Sequence, residues 1–164
     1  MIELIAALAT NGCIGIDNSL PWSKLKGDMN FFRTTTTGKA IIMGRNTFES
    51  LNRTPLPNRL NIVISSKLDK IKGIEVVEDM EEALEVAHKN EMIPIIIGGG
   101  QIYREAIKVV DVMYLTMVKV EPEPEGDTFF PHVPFWNWNQ EVIKMGEKDD
   151  NNDYRYTIYK FTKK

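Results

Sequence analysis

Short apolar runs rich in isoleucine and valine recur along the chain at Ile2–Ala9, Ala40–Met43, Asn61–Ile64, Glu75–Val77, Ile93–Ile97 and Val112–Val118, with helical or turn-like patterns between them. Runs of this length that do not alternate apolar with polar predict strands buried on both faces, as in a mostly parallel α/β sheet. Asp79–Lys89 predicts the clearest helix: Met80, Ala83, Leu84 and Ala87 stand at helical spacing, Asp79 is an N-cap, and Glu82 completes a capping-box pattern. From Gly100 the positions Ile102, Tyr103, Ala106, Ile107 and Val110 repeat with the same period, so a helix follows the Ile93–Ile97 strand directly. Leu25, Met29 and Phe32 form an apolar stripe that predicts another helix over Leu25–Thr36.

The last quarter changes character. Gln140–Lys148 and Tyr154–Thr162 flank the polar cluster Asp149-Asp150-Asn151-Asn152-Asp153, which predicts an antiparallel hairpin and a sheet that ends mixed. Two prolines and three acids in Glu121–Gly126 predict a surface connection rather than a central strand. Neither a repeat nor a domain boundary is visible, so residues 1–164 read as one domain.

Composition narrows the function classes. The 20 Lys+Arg against 23 Asp+Glu leave a net charge of −3, which argues against nucleic acid and makes a small molecule the better partner. One cysteine, Cys13, rules out an internal disulfide, and without a Cys/His cluster around His88 or His132 no metal is expected. Glu3 interrupts the only leader-like run, and nothing is long and apolar enough to span a membrane; a cytoplasmic protein is the expectation.

Four features carry chemistry. Asp28 lies three residues after Leu25 and four before Phe32, which places a carboxylate on much the same helix face as the apolar stripe. Burial there raises an aspartate pKa unless a cationic or hydrogen-bonding ligand pairs with it; the plainer reading is a hydrated first-turn residue favoured by the helix dipole. In Ile97-Gly98-Gly99-Gly100-Gln101-Ile102-Tyr103, bare backbone meets a helix start and would suit a pyrophosphate. The run is not G-x-G-x-x-G, since Tyr103 occupies the third glycine position, and a tight strand-to-helix turn explains it about as well.

Gly44-Arg45-Asn46-Thr47 and Ser65-Ser66-Lys67 follow two other apolar strands, where open α/β sheets bind ligands. Arg with nearby Ser and Lys suits the extra phosphate of NADP, although ordinary surface turns would look the same. Arg59 could grip a carboxylate or simply be solvated, and Tyr103 and Trp22 could be core aromatics.

Taken in order, these segments resemble the dihydrofolate reductase family over nearly the whole chain. Ile5-Ala6-Ala7-Leu8-Ala9, Ile14-Gly15, Asn18-Ser19-Leu20-Pro21-Trp22 and Asp28 with Phe32 are similar to its first strand, active-site loop and catalytic helix. Met43–Ser50, Pro55–Arg59, Ile97–Tyr103, Leu115-Thr116 and Gly126–Pro131 follow in family order. The resemblance implies a three-layer α/β/α fold with a mixed, mostly parallel sheet of about eight strands, an antiparallel C-terminal hairpin and about four helices.

It also implies NADPH-dependent reduction of 7,8-dihydrofolate to 5,6,7,8-tetrahydrofolate in one-carbon metabolism, by hydride transfer to pterin C6 and protonation of N5. Asp28 would bind the amino-pyrimidine edge with Thr116 beside it, and would raise the basicity of N5 through water near Trp22. Ile5, Ala7, Met29, Phe32, Leu51, Leu56 and Ile97 would wall the pterin and benzoyl groups, while Arg59 would take the glutamate α-carboxylate. Ala7 and Ile14, with Gly15 and Leu20 nearby, would hold the nicotinamide carboxamide, and Tyr103 would lie near that ring. Gly98, Gly99, Gly100, Gln101 and Ile102, with Gly44, Asn46 and Thr47, would hold the phosphates; Arg45, Ser65, Ser66 and Lys67 would select NADPH. A cis bond between Gly98 and Gly99, antifolate binding and a monomer without nucleic-acid or membrane partners complete what the family implies.

The chain departs from the common bacterial pattern in places. Ser23-Lys24-Leu25-Lys26-Gly27 is longer by a residue and lacks a proline before Asp28, Thr54 lengthens the next loop, and Asn46 and Gln101 replace residues that are often basic. The nearest competing readings are a reductase of a riboflavin precursor and a non-catalytic nucleotide-binding module.

Overall fold

The computed structural model describes residues 1–164. In chain order the elements are β1 (Glu3–Ala9), β2 (Cys13–Gly15), α1 (Lys26–Thr36), β3 (Ala40–Gly44), α2 (Arg45–Ser50), β4 (Leu60–Ile64) and β5 (Ile74–Val77). After them come α3 (Met80–Lys89), β6 (Pro94–Gly98), α4 (Gly100–Ala106), β7 (Val112–Val118), β8 (Thr128–Phe129), β9 (Trp138–Gly146) and β10 (Tyr156–Lys163). Each apolar run forms a strand within a residue or two of its expected limits, and no helix is long and apolar enough to cross a membrane.

Eight strands make one sheet in the order β5-β4-β3-β6-β1-β7-β10-β9. The first six are parallel, and β10 and β9 are antiparallel additions, so the sheet ends mixed as expected. The central strands have no polar face because helices cover both sides. One core places Leu4, Ala6 and Leu8 of β1 under Ala83 and Ala87 of α3 and Ile102, Tyr103 and Ala106 of α4. On the other face Ile5, Ile41, Met43 and Phe48 pack with Phe31 and Phe32 of α1, which gives three layers.

α3 starts as its sequence predicts: the Glu82 N–H donates to Asp79 Oδ1 at 2.8 Å. The return arm of the box differs, because Glu82 Oε2 accepts from the Glu78 N–H, one residue before the cap. α4 ends at Ala106 rather than Val110, whose N–H still donates to the Ala106 carbonyl in a closing turn. β2 and β8 pair with each other in a separate two-stranded ribbon that no pattern of two or three residues could announce.

Candidate active site

The C-terminal ends of the central strands open into a cleft of about 1130 Å³. Small-molecule pockets run to roughly 300–1,000 Å³, so two ligands can lie side by side here. Its walls come from Ile5–Ala7 of β1, the loop Ile14–Ser23, Asp28, Met29 and Phe32 of α1, Asn46–Leu51, and Ile97–Gly100 with Tyr103.

Asp28 sits in the first turn of α1, and its Oδ1 accepts a hydrogen bond from Thr116 Oγ1 at 2.7 Å. Thr116 is buried on β7 directly beside Ala7 of β1, so the sheet itself fixes the partner. Burial pushes the Asp28 carboxyl above the usual carboxylate range, and the Thr116 hydrogen bond draws it partly back. No lysine or arginine pairs with it. The carboxylate is therefore half-buried rather than fully hydrated, held against Thr116 on the wall of the cleft. The stripe beside it divides, because Leu25 is core at 1% exposure whereas Met29, at 64%, turns its apolar surface into the cleft. Trp22 does both jobs, packing in the core with Leu25 and Tyr156 while lining the cleft.

Tyr103 reaches under the cleft floor, where its hydroxyl lies 2.8 Å from the Ile5 carbonyl and 2.9 Å from that of Ile97. Burial, reinforced by the Asp28 charge, pushes this phenol far up, so it stays neutral. Its ring explains the first glycine: a Cβ on Gly98 would lie 3.2 Å from Tyr103 Cζ, on a backbone at φ +120° that L side chains rarely adopt. The Gly98–Gly99 bond is cis. A Cβ on Gly99 would meet only Thr47 Oγ1, at 3.5 Å, so the backbone there is bare. Neither α2 nor α4 carries a side-chain cap, and their opening residues Asn46, Thr47 and Gly100 line the cleft. A diphosphate fits that combination of bare backbone, hydroxyl and amide.

The remaining expected positions form the surroundings. Gly44 pairs with Ile64, so Arg45 and Ser65 leave neighbouring strand ends, with Ser66 and Lys67 exposed just beyond. Arg45 is exposed, 3.7 Å from Glu49 Oε1, and Gln101 also faces solvent. Ile102 belongs to the core and contributes only its backbone, and Leu56 packs half-buried against Phe48's cluster. Arg59 donates to the Pro57 carbonyl at 2.9 Å and to Thr36 Oγ1 at 3.0 Å. Burial and the neighbouring Arg33 charge hold its pKa down, though a guanidinium remains charged at any working pH. Neither Arg33 nor Arg59 has an acid partner, which suits a carboxylate tail.

Sequence reading gave no individual role to Ala6, Asn18, Ser19, Ser23, Ser50, Asp127 and Thr128, although all but Ser23 lie in the motifs that carry the resemblance; all seven line the cleft. The signal for Asn18 was the turn itself: Asp17 and Asn18 have φ of 49° and 62°, between Ile16 and Ser19, which exchange hydrogen bonds of 2.9 Å. Asp127 holds that turn, accepting from the Asp17 N–H at 2.9 Å and from Thr128 Oγ1 at 2.9 Å. Those bonds lower its pKa, so it stays ionised and keeps the loop tied. Asn61 was missed as a brace: buried on β4, its Nδ2 donates to the Leu56 and Arg59 carbonyls and its Oδ1 accepts from Leu56 N–H, which sets the Arg59 loop.

A family model described as dihydrofolate reductase matches residues 1–163. The chain belongs to the dihydrofolate reductase family. It is 41% identical to the dihydrofolate reductase of Bacillus subtilis over 165 residues, covering 100% of this chain and 95% of that one. It is also 41% identical to the type 3 dihydrofolate reductase of Salmonella typhimurium, covering 94% and 93%. Among solved structures, the Enterococcus faecalis dihydrofolate reductase complexed with NADP(H) and RAB-propyl superposes with a TM-score of 0.90 at 35% identity, covering 99% of this chain and 96% of that one. The dihydrofolate reductase match thus spans every element that lines the cleft, and the antiparallel hairpin beyond them as well.

Proposed function

We propose that the Asp28 cleft is where this chain, an NADPH-dependent dihydrofolate reductase, converts 7,8-dihydrofolate to 5,6,7,8-tetrahydrofolate. The observation that carries the assignment is the Asp28–Thr116 hydrogen bond, a half-buried carboxylate held on a buried threonine at the cleft wall. Of the ionisable side chains lining the cleft, Tyr103 is held neutral and Asp127 is exposed and tied to a loop, which leaves Asp28 for proton chemistry. NADPH, when bound, supplies the hydride that pterin C6 receives.

The chain's own residues do the rest. Asp28 accepts from the amino-pyrimidine edge and raises the basicity of N5, with water near Trp22 completing the proton path. Ile5, Ala7, Met29, Phe32, Leu51, Leu56 and Ile97 exclude bulk water and hold the ring, and Arg59 takes the tail carboxylate. Ala7 and Ile14 backbone groups orient the carboxamide of the cofactor. Bare backbone at Gly99–Ile102 with Asn46 and Thr47 takes its diphosphate, and Arg45, Ser66 and Lys67 take the 2′-phosphate. We further assign residues 1–164 to a single domain acting as a monomer in a reducing cytoplasm, where the unpaired Cys13 is at home. Antifolates that mimic the amino-pyrimidine edge compete for Asp28.

Mixing protein with NADPH and dihydrofolate and following the loss of reduced nicotinamide absorbance tests the reading. Rapid loss supports it; no loss despite tight NADPH binding would turn attention to another substrate. In the same assay Arg45→Ala with Lys67→Ala is expected to shrink the preference for NADPH over NADH about tenfold, through the KM for NADPH alone, as loss of charge-assisted phosphate contacts requires. An unchanged preference would remove these cations from selection.

A further inference from the structure

α1 carries Asp28 yet starts without its own devices. Leu25 is its N-cap residue and offers no side-chain acceptor, and Lys26 rather than proline opens the first turn. The missing partners arrive from the other end of the chain. The Lys26 N–H donates to the Asn151 carbonyl at 3.0 Å, and the Gly27 N–H donates to Asn152 Oδ1 at 3.0 Å. Both acceptors lie in the turn joining β9 to β10.

That turn is built to present the acceptor. Asp149 Oδ1 accepts from Asn152 Nδ2 at 3.0 Å and from the Asn151 N–H at 2.8 Å, so the amide nitrogen points at Asp149 and the oxygen at Gly27. The Lys24 N–H donates to Asp153 Oδ2 at 2.8 Å and the Asp153 N–H to the Lys24 carbonyl at 2.8 Å, which clamps the turn to the segment leading into α1. Asn152 is only 8% exposed, a buried polar side chain with one visible task.

We propose that Asn152 is a positioning residue for Asp28: as a cap supplied in trans by the β9–β10 turn, it holds the first turn of α1 so that the carboxylate stays on Thr116. Asp28 directly follows Gly27, so a tilt of the freed first turn moves the carboxylate off a partner fixed on β7. The inference rests on the assignment of Asp28 above.

Single-turnover hydride transfer, the KM for dihydrofolate, the Kd for NADPH and thermal unfolding are to be measured for Asn152→Ala and for the exchange Asp149→Asn with Asn152→Asp. The exchange keeps the net charge and restores an amide-to-carboxylate bond with an acceptor facing Gly27. Asn152→Ala is expected to slow hydride transfer about fivefold, the effect of one lost cap, with NADPH binding unchanged and the rate restored by the exchange. A rate within error of the parent, whatever the melting temperature, or a loss that the exchange does not restore, overturns the proposal. If Asn152→Ala does not fold, Asn152→Asp alone sets two carboxylates side by side; its smaller loss must be reversed by adding Asp149→Asn, and failure to reverse it counts against the proposal. Asp28→Asn in the same assay separates the two levels: unchanged turnover there removes the assignment of Asp28, whereas a slow Asp28→Asn with a fast Asn152→Ala removes only the trans cap.

Discussion

Asp28→Asn is expected to lower turnover about 100-fold or more at pH 7 while leaving the NADPH Kd nearly intact, the range seen when a positioned acid–base group is removed. The amide keeps the shape and an oxygen able to accept from Thr116 Oγ1, so the loss isolates the charge. Because that charge serves to raise the basicity of N5, the deficit should narrow as pH falls and solvent protonates N5 itself. Stability should move the other way. The carboxyl is raised above its ordinary value near 3.8, with burial the larger cause. Between the ordinary and raised values the folded state keeps a proton that the unfolded chain releases, so the parent loses stability as pH rises through that window. Asn has nothing to lose there, so the variant should be the more stable at pH 7 and the advantage should vanish below about pH 4. Turnover unchanged at pH 7, or a variant less stable than the parent there, would remove Asp28 from its assigned role.

Much of this architecture was legible because burial on both faces leaves a strand no polar side, so Ile41–Met43, Ile62-Val63 and Ile95-Ile96 declare themselves by composition alone. The same logic found the α3 cap, where one side chain meets one nearby N–H. The cleft was legible only in part. Asp28 stood out as a carboxylate within an apolar stripe, yet nothing local said whether it faced protein or water; Thr116, 88 residues away, decides that. The stripe alone could not tell that Met29 opens into the cleft, because a residue lining a cleft and one filling a core share the same apolar pattern; only the family resemblance pointed to a ligand wall there. Asp127, Asn61 and Asn152 escaped for a common reason: each acts on a segment set by tertiary contact, and a polar residue in a loop or at a strand end carries no mark of which backbone it will brace.

Gly27→Ala is expected to destabilise the fold by about 3 kcal/mol, roughly 100-fold in the folding equilibrium, against the few tenths to 1 kcal/mol that alanine ordinarily gains over glycine within a helix. The reversal comes from Tyr156. A Cβ on Gly27 would lie 1.7 Å from Tyr156 Oη and 2.7 Å from its Cζ. The ring has little room to give, since it also packs directly on its register partner Gly146, where an added Cβ would overlap the same ring atoms. Tyr156 is 3% exposed, and it seats the start of α1 on β10 just below the turn that carries Asn152. Chemical denaturation of Gly27→Ala, of Tyr156→Phe and of the pair checks the mechanism by a double-mutant cycle. Removing the hydroxyl eliminates the shorter clash but leaves the Cζ contact, so the pair should recover part of the loss and not all of it. Full additivity would mean that the ring and Gly27 do not meet. A Gly27→Ala variant as stable as the parent would mean that α1 shifts freely on its seat, and a helix that slides cannot hold Asp28 to a 2.7 Å bond with Thr116.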